Sequence, residues 1–249
     1  MKTFKDFKKD KNRYVPEHPI HFKNSHVSAV TENYIQEKTE RYPHISEWLL
    51  QNDNPHLSNH EVISKSSEEI SSKLAANSPK FTDDHHKYIN QYTQDSSGIN
   101  KPLIKKYGTS TSVPHHVAHF SNKMDEITQN PIGNHLSVYS GIGFDPAKKL
   151  KSKDSTVFLP AYTSATHDKQ VANFFTRNIG DTPDRHILHI RLKPNDWATH
   201  ISQHSNHPTE HETIIARNTE LKIHPEPKIY TNDSGEKVHI WNAHISNQY

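Results

Sequence analysis

The order in which apolar periodicity changes along the chain limits its fold more than any other feature. Up to about residue 128, apolar residues recur at spacings of three and four, as in Val117, Phe120, Met124 and Ile127, which is the pattern of one helix face. From residue 136 the pattern becomes an alternation, as in Leu136 and Val138 or Leu188, Ile190 and Leu192, and strands present their side chains with that period of two. Helices first and strands afterwards predict an α+β fold with a mostly antiparallel sheet.

The pattern can be placed more closely. Helices are expected over residues 30–40, 45–51 and 58–76, the last with Ile63, Ile70 and Leu74 on one face. Asn77-Ser78-Pro79 reads as a boundary, separating a helical, partly flexible region 1–78 from a domain over 79–249. Thr82 or Asp83 can cap a helix carrying Tyr88, Ile89 and Tyr92, which Ser96-Ser97-Gly98 interrupts, and a further helix spans 114–128. Strands follow over 136–141 and 156–164, then a short helix over 168–177 that buries Val171, Phe174 and Phe175. Residues 210–215 and 220–223 are expected to pair as a hairpin about Ala216-Arg217-Asn218-Thr219, and Tyr230 and Val238 as a second about 232–235.

Composition excludes several function classes. Apolar residues make up 31% of the 249 residues and mean hydropathy is −0.94, so the core is lean. Thirty basic against 28 acidic residues leave a net charge of +2, too balanced to argue for nucleic acid. The absence of cysteine excludes disulfides, thiol nucleophiles and thiolate metal sites. No apolar run approaches the ~20 residues of a membrane span, and no secretory apolar segment follows the first residues. A soluble, cytoplasmic protein without a membrane partner is expected. The first 13 residues carry six basic and two acidic side chains with Phe4 and Phe7, which reads as a solvated basic leader.

Two elements carry candidate chemistry. If residues 209–215 form a strand, Glu210 and Glu212 share a face, and two close carboxylates raise a pKa, as at sites of acid–base or cation-stabilising chemistry. The histidines His204, His207 and His211, and likewise His115, His116 and His119, have zinc-ligand spacing. With 22 histidines in 249 residues such triples arise by chance, so no metal is assigned, and His204, His207 and His211 are read as acceptor contacts or pH-sensitive groups.

Four motifs then occur in one order. Tyr92-Thr93 precedes Gly98-Ile99-Asn100 and Leu103; Val138-Tyr139-Ser140-Gly141 ends a strand; Tyr162-Thr163-Ser164-Ala165-Thr166 precedes a helix with Phe174-Phe175; and Glu210-His211-Glu212 continues into Ile-Ile-Ala-Arg-Asn-Thr. Together, over about residues 81–245, they resemble the ADP-ribosyltransferase family, in its toxin-like branch with an arginine, a serine and a Glu-x-Glu motif.

The resemblance implies a split, mostly antiparallel sheet with flanking helices, NAD as co-substrate and a set of roles. Glu212 would stabilise the charge that develops on the ribose, Glu210 would orient or deprotonate the acceptor, and Ser164 would hold Glu212. Ser140, Gly141, Thr163 and Arg177 would line the NAD side. A glutamate at 210 goes, in this family, with arginine acceptors on a host protein, an RNA end being the second acceptor class, and the leader fits a bacteriophage or intracellular effector acting in the host cytoplasm. The sequence departs from the family at Ser140, where an arginine is expected, and at Ala165 and Thr166 in the serine motif. Arg177 and Arg185 are the candidate replacements for the missing guanidinium. An NAD glycohydrolase, or an inactive binding or virion module, are the alternative readings. Tyr139 and Phe174 are read as core.

Overall fold

The computed structural model describes residues 13–14, 48–49, 53–54, 66–108, 112–150, 156–176, 184–231 and 236–249. The helix expected over 30–40 lies outside them.

Strand β1 (Arg13–Tyr14) comes first, and four helices follow: α1 (Ser66–Asn77), α2 (Asp83–Gln94), α3 (Ser96–Gly108) and α4 (His115–Thr128). Local chemistry explains their ends. Thr82 caps α2 by accepting from the His85 backbone N–H at 3.3 Å, while His85 Nδ1 accepts from the Thr82 N–H at 3.3 Å. The interruption expected at 96–98 falls one residue earlier. Asp95 alone breaks the helix, and its carboxylate accepts from Ser97 Oγ and from the Gly98 N–H, both at 3.0 Å, at the start of α3. A side chain at position 98 would meet that carboxylate at 2.7 Å, so glycine leaves Asp95 free to cap α3 in this position.

The strands are β2 (Leu136–Ile142), β3 (Thr156–Leu159), β4 (Thr163–Thr166), β5 (Arg185–Leu192), β6 (Ala198–His200), β7 (Glu212–Ile215), β8 (Thr219–Ile223), β9 (Lys228–Thr231) and β10 (Lys237–Gln248), with short helices α5 (Pro146–Lys149) and α6 (Lys169–Phe175) between them. They form one sheet in the order β1-β3-β8-β10-β5-β2-β4-β7-β6, with β9 on β10. Ladders β10·β5 and β1·β3 are parallel and the rest antiparallel. The long β2·β5 ladder contrasts with the join of β2 to β4 through the single pair Tyr139↔Thr166. The sheet is thus two lobes held by a narrow seam, which is the expected split.

The hairpin expected between residues 210–215 and 220–223 does not form. β7 has both edges taken, by β4 and β6, whereas β8 pairs with β3 and β10 in the other lobe. Residues 216–218 instead carry the chain across the seam, turning at Asn218 with a left-handed φ of 59°. Arg217 anchors the crossing through a two-pronged contact to Asp125, from Nε at 2.9 Å and Nη2 at 2.6 Å. The second expected hairpin is present, with Val238 opposite Tyr230.

Two apolar clusters sandwich the small lobe. On one side Ile214 and Tyr162 pack with Ile89, Tyr92, Val117, Phe120, Met124 and Ile127 of α2 and α4. On the other, Ile215, Ala165 and Ala198 join the main core, to which α1 contributes Ile70 and Leu74. Each of those two side chains is worth roughly 1.5–3 kcal/mol of burial, so α1 is docked on the sheet although it precedes the expected 78/79 boundary. Among the described residues no helix is long and apolar enough to cross a membrane.

Candidate active site

β4 and β7 run antiparallel with Ser164 opposite Ile214 and Thr166 opposite Glu212. Partners in register project from the same face, so Ser164, Thr166, Glu212 and Ile214 share the face that meets α2 and α4. Thr163, Ala165, Thr213 and Ile215 share the rear face, toward α1. Glu212 is only 4% exposed, and its carboxylate is hydrogen-bonded by Ser164. Ser164 Oγ lies 3.5 Å from Tyr92 OH. Asn100 Nδ2 donates to Tyr92 OH and to the Tyr162 carbonyl, each at 3.1 Å. A connected line Asn100–Tyr92–Ser164–Glu212 therefore runs from the α2–α3 pair to the first residue of β7. Asn100 Oδ1 stays buried without a partner.

Sequence reasoning gave Tyr92 and Asn100 no role. Their positions on two successive helices explain why: nothing in a spacing of eight residues shows that the helices bend back until the side chains meet.

Glu210 is not on the strand. Pro208–Glu210 form a 3₁₀ turn, and His211 closes it in the left-handed region, φ 49° and ψ 43°, before β7 begins. Pro208, which pre-sets φ for a first helical position, overrides the β-branched run that followed it. The alternation argument therefore fails, yet the two carboxylates still sense each other. Burial, and then the Glu212 charge, push Glu210 up to about 8. Burial pushes Glu212 up to about 7, opposed by the Ser164 hydrogen bond. Tyr92 is raised by burial and by the charge of Glu212.

Behind this face lie three buried histidines. The rings of His167 and His200 are 5.5 Å apart and those of His167 and His211 5.2 Å. His211, expected as an acceptor contact or pH-sensitive group, is buried and hydrogen-bonded through Nδ1 to Ser71 of α1 at 2.8 Å. His204 stacks on His86 at 4.3 Å. Among the described residues no group of three histidines or acids is arranged to hold a metal ion.

The sequence matches the ADP-ribosyltransferase exoenzyme family over residues 23–245. The chain belongs to that family. No curated protein matches the sequence. Among solved structures, C3stau2 from S. aureus, solved with NAD, aligns at a TM-score of 0.58 and 15% identity, covering 77% of this chain and 99% of that one. Plx2a, an ADP-ribosyltransferase toxin from Paenibacillus larvae, aligns at 0.54 and 18%, covering 74% and 94%. The Vis toxin, an ADP-ribosyltransferase from Vibrio splendidus, aligns at 0.55 and 14%, covering 80% and 90%. At these identities the likeness is one of fold.

Within this exoenzyme-family fold the remaining expected NAD-side residues are scattered. Ser140 is fully buried, and its hydroxyl donates to the Ser164 carbonyl at 2.7 Å. It clips β2 to β4 at the seam where an arginine was expected. Gly141 pairs with Ile187 inside the β2·β5 ladder. Thr163 is opposite Ile215, so strand alternation places it on the rear face, away from Glu212. Arg177 lies outside the described residues. Arg185 contacts Glu236 at 2.5 Å and Arg217 is held by Asp125. Beside the seam, Lys169 forms an ion pair with Asp53 at 2.7 Å and donates to the Trp48 carbonyl at 2.9 Å, and Tyr139 donates to the same Asp53. Tyr139 is core, as expected, and Phe174 is partly buried.

Proposed function

We propose that this chain breaks the bond between nicotinamide and ribose in NAD and transfers ADP-ribose to arginine side chains of a target protein. One observation carries the reading. A buried carboxylate, Glu212, is held by a serine at the edge of a seam in a fold shared with a protein solved with NAD. Cleavage of this glycosidic bond passes through an oxocarbenium-like state, and a fixed carboxylate in a water-poor site stabilises such charge strongly. The bonding pair leaves with the nicotinamide nitrogen, which becomes neutral, while Glu212, ionised, faces the cationic ribose. The acceptor guanidinium nitrogen then bonds the ribose carbon and loses one proton, for which Glu210 is the base. Ser164 orients Glu212 and is itself oriented by Tyr92.

The residues described fit the ribose end of NAD, with one carboxylate and a line of hydroxyl and amide groups. Arg185 and Arg217 are already in carboxylate pairs, and Ser140 offers no charge for a pyrophosphate. The arginine acceptor rests on Glu210 at the first position of the motif.

The test is incubation of the protein with NAD labelled in the adenylate phosphate and with agmatine, a guanidino compound, beside Glu212→Gln. Labelled agmatine with the wild type and at least ~10²-fold less with the variant supports the reading, that being the scale of one preorganised electrostatic group. Nicotinamide release without labelled agmatine or protein assigns a glycohydrolase instead. No turnover and no heat of NAD binding assigns a binding module.

A further inference from the structure

We infer that Ser71 and His211 form a positioning pair through which α1 holds the Glu210 turn from the rear of the sheet, making residues 66–77 part of the transfer step. The inference rests on the reading of Glu210 given above. His211 stands between the two glutamates in a left-handed conformation, which costs a residue with a Cβ roughly 1–2 kcal/mol. Such a conformation persists only where the surroundings over-determine it.

His211 Nδ1 is hydrogen-bonded to Ser71 Oγ at 2.8 Å. His167, whose ring is 5.2 Å from that of His211, reaches the same Ser71 Oγ at 3.4 Å and the Ser67 carbonyl at 2.9 Å through Nε2. Ser67 Oγ donates to Asp168 Oδ2 at 2.9 Å, and Asp168 caps α6 through the Gln170 and Val171 N–H groups. His200, next to His167, is tied to Thr213 Oγ1 at 3.2 Å. Ser67 and Ser71 are one helical turn apart and so lie on one face of α1, while Ile70 and Leu74 fix that helix in the core. The charged groups that act on His211 are Asp168 from the α6 cap and Glu68 from α1.

The consequence is asymmetric. Glu212 is held independently by Ser164 from the front, and the first residue of β7 keeps its place through its ladder to β4. Glu210 has no strand beneath it. Its position relative to Glu212 is transmitted through His211, so loosening the Ser71 contact moves Glu210 and leaves Glu212.

Ser71→Ala separates the two. Two readouts are taken: the ratio of agmatine transfer to NAD hydrolysis, and the titration of Glu210 followed by ¹³C NMR of the carboxyl-labelled protein. We expect transfer to fall about tenfold, the scale of one hydrogen bond plus a small misplacement, and hydrolysis by at most about twofold. The Glu210 carboxyl, pushed up to about 8 in the native protein, should titrate at least about one pH unit lower as it moves into water and away from Glu212. Ser71→Thr, which keeps the hydroxyl, should restore both. Transfer and hydrolysis falling in parallel, or a Glu210 titration unmoved by Ser71→Ala, overturns the inference. If the wild type cleaves no NAD, the proposed function falls, and the titration by itself still decides whether the pair positions Glu210.

Discussion

The two faces of β4 and β7 are buried to a similar degree and titrate in opposite directions. On the front, burial pushes Glu212 up to about 7, and in the turn before β7 the partly buried Glu210 is pushed up to about 8. On the rear, burial pushes His167 down to about 4 and lowers His200 and His211. One cause acts on both, since leaving water disfavours whichever form is charged. The difference lies in what each face does with its neutrality. The rear histidines, neutral at pH 7, are hydrogen-bonding struts that never need their charge. In the proposed reaction Glu212 and Glu210 act in their charged forms, and the raised values place that change near neutral pH.

The largest effect that would break this contrast is acid unfolding. A histidine whose folded pKa is depressed contributes stability that is full above its unfolded value, near 6.5, and is lost as pH falls toward the folded value. His167, pushed down to about 4 mainly by burial, loses on the order of 3 kcal/mol over that window, His200 and His211 add to it, and His189 on β5 of the other lobe, also pushed down to about 4, acts in the same direction. A carboxyl with a raised folded pKa does the reverse, losing stability as pH rises from about 4.5 to its folded value. Between about pH 4.5 and 6.5 these histidines outnumber the two glutamates, so stability climbs; above about 6.5 the glutamates still titrate, so it falls. Urea midpoints from pH 4 to 9 should therefore peak near pH 6.5. A plateau from pH 5 to 8 would show that the two faces are not buried in solution.

Glu212→Gln sharpens the comparison next. Above about pH 8 the native protein carries a desolvated charge at Glu212, and its removal should raise stability by up to about 3 kcal/mol, the equivalent of a carboxyl raised from about 4.5 to about 7. The gain should vanish below about pH 4, where the carboxyl is protonated in both states. The same variant loses transfer, so activity and stability move oppositely at one residue. A destabilised variant at pH 8.5 would mean that Glu212 is ionised at no cost.

How much of this was legible in the sequence follows the same division. On the front face Ser164 and Glu212 were picked out by the motifs shared with the family, and the strand register then places them on one face. Thr82 and the Tyr230–Val238 hairpin were readable from cap and turn chemistry. Glu210 was misplaced because one proline outweighs a run of β-branched neighbours, and Thr163 because a motif says which residues are adjacent but not which alternate face each takes. The rear face was invisible. Ser67, Ser71, His167 and His211 meet across 140 residues of chain, and nothing local marks a serine on a serine-rich helix as the one that reaches a histidine. Lys169 and Asp53 were missed for the same reason. Their ion pair spans the seam from a segment with no periodicity of its own.

The catalytic pH profile gives a smaller effect with a defined sign. If Glu212 must be ionised, kcat/KM for NAD cleavage should rise with pH through an apparent value near 7 belonging to the carboxylate pair. Glu210→Gln removes the neighbouring acid and should leave that cleavage limb in place while abolishing transfer. Disappearance of the limb in Glu210→Gln would assign it to Glu210 and reverse the roles.

Tyr92→Phe should have the smallest effect, and it separates positioning from packing on the front face. The ring stays in the cluster with Ile89 and Phe120, so apolar burial is retained. Only the hydroxyl between Asn100 and Ser164 is lost. Asn100 Nδ2 keeps the Tyr162 carbonyl, so the net cost is about 1 kcal/mol, or a fall in Tm of roughly 2–4 °C for a chain of this size. Ser164 loses a neighbour on the side opposite Glu212, so its hydroxyl gains rotational freedom and the Glu212 limb of the pH profile should move upward by a few tenths of a unit. KM for NAD should stay within about twofold if Tyr92 acts through Ser164. A rise in KM with an unmoved pH limb would instead place Tyr92 against the substrate and remove it from the line that holds Glu212.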